Sequence, residues 1–200
     1  MIKRCLGLVV VACLTGCAFT TEQIDVQYNQ QPGVSAVDGA SKVMVGVQIV
    51  DQRPDKTKVS SKKNGYGMET APIVTTEEVT VTIRRAVEEE LRARGFQITA
   101  EAASVQITAD LTRFYNEYKM GFWSVDAIAD LNLLVTVKGK DGAVLYTRQI
   151  VARGEELANQ VMGGENARLA LNKALENGMQ LLFGDQAFIA SLVASSARKG

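Results

Sequence analysis

The longest regular pattern in the chain is an alternation of period two: Val125, Ala127, Ala129, Leu131, Leu133, Val135 and Val137 share one face of a single extended stretch. Successive side chains of a strand point to opposite faces, whereas a helix repeats about every 3.6 residues, so this spacing calls for a strand. Val105, Ile107, Ala109 and Leu111 alternate in the same way before it, and Val144, Tyr146 and Ile150 lie two or four apart after it. Three such segments predict an antiparallel meander with one face on helices and one wetter. Lys140-Asp141-Gly142 supplies a hairpin turn, because Asp-Gly tolerates positive φ.

Other elements flank the meander. Val43 to Val50 is a nearly continuous β-branched run, the pattern of a central strand buried on both faces. Residues 54–72 carry Lys, Ser, Asn and Gly without periodicity and read as a long loop. Thr75-Thr76-Glu77-Glu78 has the form of a capping box, with Thr75 and Glu78 serving the first-turn amides. Val79, Ile83, Ala86, Val87 and Leu91 then mark one face of a helix over about 76–94, closed by Gly95. A second helix is expected over about 165–183 (Ala167, Leu171, Ala174, Leu175, Leu182), ended by Gly184. Asp185 can cap a last one carrying Phe188, Ile189, Leu192 and Val193. The resulting fold class is α+β: a mainly antiparallel sheet, made of a buried first strand plus the three-strand meander, with two long helices packed on one face and a short C-terminal helix.

The amino terminus is a targeting signal. Lys3 and Arg4 precede an apolar run from Cys5 to Leu14, too short for a transmembrane helix and suited to a secretory h-region. Leu14-Thr15-Gly16-Cys17 then resembles the bacterial lipobox: small residues fit the signal-peptidase site, and the Cys17 thiol takes a diacylglycerol before its freed amine takes an N-acyl chain. Three acyl chains exceed what stable anchoring needs. Ala18, in place of Asp, points to the outer membrane. The expected organisation is a signal peptide over 1–16, the acylated Cys17 and a flexible tether over 17–41, and a single periplasmic domain over 42–200. Ile24, Val26 and Tyr28 alternate within the tether and could form a short edge strand.

Composition narrows the chemistry. The chain holds no histidine among its 200 residues, which removes imidazole relays, His-assisted nucleophiles and imidazole metal sites. Its three cysteines fall to one after processing, and acylation uses that sulfur. Basic and acidic side chains are equal at 22 each, and loss of Lys3 and Arg4 leaves a net charge of −2, which argues against nucleic acid as a partner. No P-loop, dinucleotide fingerprint or metal-ligand spacing occurs. Catalytic residues, metal ligands and non-covalent cofactors are therefore expected to be absent.

Two constellations remain. Asp51 and Arg53, at the end of the first strand, are either a polar clamp for a partner or ligand, or an ion pair that steadies the turn. Tyr118, Met120, Phe122 and Trp123, with Tyr115 nearby, gather aromatic and Met side chains at one hairpin; exposed, they form a candidate interaction tip, and otherwise they pack over the sheet end.

The order of pieces carries a resemblance. Lipobox, strand closing in Asp51-Gln52-Arg53, helix ending Arg92-Ala93-Arg94-Gly95-Phe96, the strand from Val105 to Leu111, and Asn166 to Leu175 (NARLALNKAL) together resemble the YajG-type bacterial lipoprotein family. That resemblance implies a periplasm-facing lipoprotein, and no catalytic residue transfers with it. The expected function is non-enzymatic: an outer-membrane lipoprotein that binds another envelope component. The alternative is a small-ligand binder, for lipid or peptidoglycan fragments, using the concave sheet face.

Overall fold

A computed structural model describes residues 19–121, 123–159 and 162–197. In chain order they form β1 (Glu22–Ile24), a 3-10 turn (Ala40–Lys42), β2 (Met44–Asp51), β3 (Ser60–Lys63), β4 (Glu69–Thr75), α1 (Val79–Ala93), β5 (Gln97–Ile98), β6 (Val105–Met120), β7 (Val125–Gly139), β8 (Val144–Asn159), α2 (Gly164–Phe183) and α3 (Gln186–Ala197). The strands make a five-stranded sheet, ordered β5-β2-β6-β7-β8, and a three-stranded one, β1-β4-β3.

The meander forms as the alternation predicts. β6, β7 and β8 pair antiparallel in sequence, and the inward rows from Val105 to Leu111 and from Ala127 to Val137 are buried. The opposite face is polar, with Arg113 and Arg153 reaching the Asp130 carboxylate at 3.2 and 3.0 Å across three strands. At the Asp-Gly turn, Gly142 adopts φ 82°, and Asp141 Oδ1 accepts the Ala143 N–H.

Both sheets are mixed, which corrects the expectation of a mainly antiparallel one. β2 lies parallel to both β5 and β6, and β1 parallel to β4. Parallel neighbours need a crossover of roughly a dozen residues or more; for β2 the span holding β3, β4 and α1 supplies it, and between β1 and β4 the span holding β2 and β3 does. Alternation shows which face a side chain takes and is blind to strand direction. β2 is also less enclosed than its run of β-branched residues implies: Val45 and Gly46 are buried, Met44 is exposed, and Val47 and Ile49 are half-buried. Gly46 leaves room for the Gln106 side chain, whose Oε1 lies 2.2 Å from where a β-carbon would sit.

The stretch read as a 54–72 loop contains the β3–β4 hairpin. Its strands carry Ser, Lys and Pro rather than an apolar alternation, so tertiary bonds define them: Asn116 donates its N–H to Val59 O at 2.8 Å, and Ser60 Oγ donates to Asn116 O at 2.9 Å.

The anticipated capping box does not form. α1 starts at Val79 without a side-chain cap; Thr75 closes β4, and its hydroxyl donates to Glu77 O at 2.6 Å. The helix does end as expected. Gly95 at φ 91° donates its N–H to Arg92 O while Phe96 N–H reaches Leu91 O, a Schellman closure that folds the buried Phe96 back on the helix. Asp185 caps α3, its Oδ1 accepting the Ala187 N–H at 2.8 Å.

The helices cover the inward face of the large sheet, α1 over β2 and β5, α2 over β6 to β8, and α3 folded back on β7 and β8. α2 packs close to the sheet at small residues on both sides. A β-carbon at Gly154 would sit 2.1 Å from Ala170 O, and one at Gly178 would sit 2.5 Å from Leu131 Cδ2.

The segment expected as a tether belongs to the folded body from Glu22 onward. β1 extends the small sheet, Ile24, Val26 and Ala40 are buried, and Gln27 N–H donates to Asn172 Oδ1 on α2 at 3.0 Å. Its fastening is Glu90, fully buried on α1, which accepts from the Tyr28 hydroxyl at 2.6 Å and the Gln31 N–H at 3.0 Å and pairs with Arg94. The Arg94 guanidinium in turn lies 4.5 Å from the Phe183 ring centroid. Polar residues disguise this packing in the sequence, because alternate side chains and backbone amides do the fastening.

Candidate functional site

Asp51 and Arg53 meet as their spacing suggests, and their partners are internal. Arg53, only 7% exposed, pairs with Asp51 through Nη2 at 2.9 Å; Nη2 also donates to the Lys56 carbonyl, and Nη1 to the Lys58 and Phe114 carbonyls. Burial works to raise the Asp51 pKa, but the hydrogen bonds from Arg53 outweigh it and hold the carboxyl below the ordinary carboxylate range. With its donors spent on carbonyls of its own loop and of β6, Arg53 acts as a staple for residues 54–59. A cleft of about 520 Å³ opens beside it, walled by that loop, the end of β4 and the start of α1. Lys58 on its rim is tied to Glu69 at 2.6 Å, a bond that raises the lysine pKa.

The hairpin expected as an interaction tip divides. Tyr118 is buried, and its hydroxyl donates to Gly163 O at 2.5 Å; burial pushes its pKa up. Met120 and Trp123 are exposed, Trp123 at 85%. Position along β6 explains the split: residues 114, 116, 118 and 120 share one row, buried as far as Tyr118 and exposed at Met120, where the strand runs out beyond the core. Phe122 lies outside the described residues, as do Cys17 and the Leu14, Thr15 and Gly16 box.

A second turn, unnoticed in the sequence, joins this tip. The β3–β4 turn carries exposed Tyr66 and Met68, and Met120 Cε lies 3.5 Å from the position a β-carbon would take on Gly67. Its signal is Asn64 with Gly67: the Asn64 side chain accepts the Tyr66 and Met68 amides, and Gly67 takes φ 79°. The amino-terminal segment arrives at the same end: Lys62 on β3 pairs with Glu22 at 3.1 Å and donates to Thr20 O at 3.3 Å.

The large sheet ends at β8, whose far side, among the described residues, has no neighbouring strand in its sheet. Near the carboxyl end of the strand, side chains of α2 cover that side: Asn177 donates to Arg153 O at 2.7 Å and Lys173 to Glu155 O at 2.9 Å. Since backbone groups of alternate residues point the same way, the Thr147, Gln149 and Val151 amides face the same open side. Val151 is 60% exposed.

The sheet face expected to receive a small ligand is filled, with Phe114, Leu131 and Leu133 wholly buried beneath the helices. Among the described residues no group of three or more Cys, Asp or Glu side chains is arranged to hold a metal ion, and no helix is long and apolar enough to cross a membrane.

Comparison with solved structures shows a shared fold. Protein XCC0632 from Xanthomonas campestris superposes with a TM-score of 0.59 at 13% identity, over 90% of this chain and 100% of that one. A putative neuraminyllactose-binding hemagglutinin homolog from Helicobacter pylori follows at 0.50 and 8%, over 88% and 100%. A minor lipoprotein from Acinetobacter baumannii aligns at 0.41 and 10%, over 78% and 94%, too low to carry an argument. No curated protein sequence matches the chain. The model of an uncharacterised lipoprotein family matches residues 30–192, most of the folded body, and the chain therefore belongs to this YajG-type lipoprotein family.

Proposed function

We propose that the protein is held by acylated Cys17 in the outer membrane, faces the periplasm, and acts as a non-enzymatic binding or adaptor module for another envelope protein. The lipobox and the family support the anchor. The observation that carries the binding role is the edge of β8, where the amides of residues 147–151 are open to strand addition while those further on are masked by α2. An extended partner segment gains main-chain bonds there and can pack on Val151.

Photo-crosslinkers placed at Gln149 in intact cells should yield a discrete adduct. Val151→Pro should abolish it, because proline removes an edge donor while leaving the β7 ladder bonded. An adduct unchanged by Val151→Pro, with the fold intact by circular dichroism, would sink the edge reading; a self-adduct would identify the partner as a second copy. The cleft beside Arg53 favours a second reading, a small polar ligand such as a peptidoglycan fragment. It predicts mass adducts in native spectra that Thr76→Val weakens.

A further inference from the structure

The uncharged turns at one end of the domain and the place where the chain enters the fold have a joint consequence. Residues 64–68 (NGYGM) and 120–124 (MGFWS) contain no charged side chain, whereas Lys63, Glu69, Lys119 and Asp126 stand immediately behind them. Tyr66, Met68, Met120 and Trp123 are 89%, 59%, 49% and 85% exposed. Water-exposed aromatic and thioether groups on adjoining turns, backed by a ring of charge, match the headgroup boundary of a bilayer, where an aromatic ring buries its apolar body and keeps its polar edge wet.

The entry of the chain names the occupant. β1 runs parallel to β4 with Glu22 opposite Ile73, so the chain traced backward from Glu22 heads along β4 toward the Asn64–Met68 turn. Thr20 is already beside Lys62, which lies opposite Ala71 on the same hairpin. Phe19, 70% exposed, is two residues from Cys17, and two residues reach at most about 7 Å. Acyl chains on Cys17 therefore hold this end, rather than the Lys140–Gly142 end of the meander, against the lipid.

We infer that the two turns form a membrane-resting foot: Tyr66, Met68, Met120 and Trp123 insert at the interface of the phospholipid leaflet that holds the Cys17 acyl chains, which fixes the domain's orientation. The inference rests on the anchor reading. With the foot on lipid, the β3–β4 and β6–β7 turns face the bilayer while the first half of β8, toward the opposite end, projects away from it. A lone acyl anchor leaves a domain free to tumble, and a second, weaker contact site removes that freedom at little cost because the anchor has already brought it to the surface.

Trp123 is the single tryptophan of the chain and reports on its own surroundings. Full-length protein is matured in a bacterial host, its acyl mass on Cys17 checked by intact mass spectrometry, and the product reconstituted in phosphatidylethanolamine/phosphatidylglycerol vesicles with or without brominated acyl chains. The expected result is a blue-shifted emission that brominated lipid quenches strongly. Tyr66→Ser with Met68→Ser, both at exposed positions, should reduce that quenching by about twofold or more while the circular dichroism stays unchanged. Acylated protein with water-like, unquenched emission overturns the foot and leaves the anchor standing. A blue shift that bromine does not quench also overturns it, since protein then covers the tip. Quenching unaffected by the double substitution overturns the joint action of the two turns. Absence of the acyl mass overturns the anchor reading and the foot together.

Discussion

Replacing Glu90 by alanine tests the most consequential packing in the molecule, the fastening of residues 25–42 to the domain. The carboxylate is wholly buried and has three partners: the Arg94 guanidinium, the Tyr28 hydroxyl and the Gln31 N–H. Arg94 is 8% exposed, so its charge has little water to turn to once the carboxylate is gone. Breaking one side of a buried ion pair costs about 3–5 kcal/mol, most of it from the charge left behind. Arg94 keeps the Glu90 carbonyl at 3.0 Å and the Phe183 ring, while Tyr28 is half-buried and can recruit water; a loss of about 4 kcal/mol follows.

For a domain of this size that corresponds to a drop in melting temperature of roughly 8–16 °C, measured by circular dichroism. The damage should be directional as well. Limited proteolysis of Glu90→Ala should cut within residues 25–38 well before the body is degraded, because the strap loses its clasp while β1 remains paired. Glu90→Leu combined with Arg94→Met should cost less than Glu90→Leu alone, since the double replacement leaves no stranded charge. A loss under about 1 kcal/mol, the scale of an exposed pair, or a double variant worse than the sum of its singles, would refute the reasoning.

Two further expectations follow from local geometry. Gly154→Ala places a β-carbon 2.1 Å from Ala170 O and 2.3 Å from Ala174 N, backbone atoms that cannot rotate away, and should cost about 3 kcal/mol or more, whereas Gly65→Ala, with open space around it, should stay within about 0.5 kcal/mol in urea unfolding. Asp185→Ala removes the α3 cap and should cost about 1 kcal/mol at neutral pH. Arg148, and then Tyr146, hold the Asp185 carboxyl below its ordinary range. Its folded pKa being depressed, its contribution is complete above an unfolded value of about 3.9 and is lost as pH falls through the folded one. The stability gap between wild type and Asp185→Ala should therefore close below about pH 4, and a constant gap would contradict the assignment.

The sequence was most legible where one physical rule acts locally. The inward rows of β6 and β7, the Asp141-Gly142 turn, the Gly95-Phe96 closure and the Asp185 cap all stand where alternation, positive φ and capping chemistry put them. It was least legible where the deciding partner is distant in the chain. Ser60 to Lys63 carries no strand pattern, and becomes a strand because Ile73 and Asn116 complete its hydrogen bonds. Thr75 to Glu78 has the letters of a capping box, but β4 claims Thr75 before the helix begins. Residues 22–41 look like a linker, because their fastenings to Glu90, Asn172 and Arg94 are not visible from composition. The candidate site shows the same division. Trp123 and Met120 announce a tip by their chemistry, while Tyr118, two residues before Met120 in the same row, still lies over the core and bonds Gly163 O, and Tyr66 and Met68 join only because the hairpin folds beside them.

By itself, then, the sequence determined that the chain builds an α+β domain around a long meander and that imidazole chemistry is outside its reach. Those are properties of spacing and residue type, which neighbours along the chain suffice to express. Only the tertiary structure decided strand direction, the second sheet, the strap clasped by Glu90, and the meeting of two uncharged turns with the chain's point of entry. Each depends on groups brought together across dozens of residues, where burial and the completion of backbone hydrogen bonds outweigh local preference.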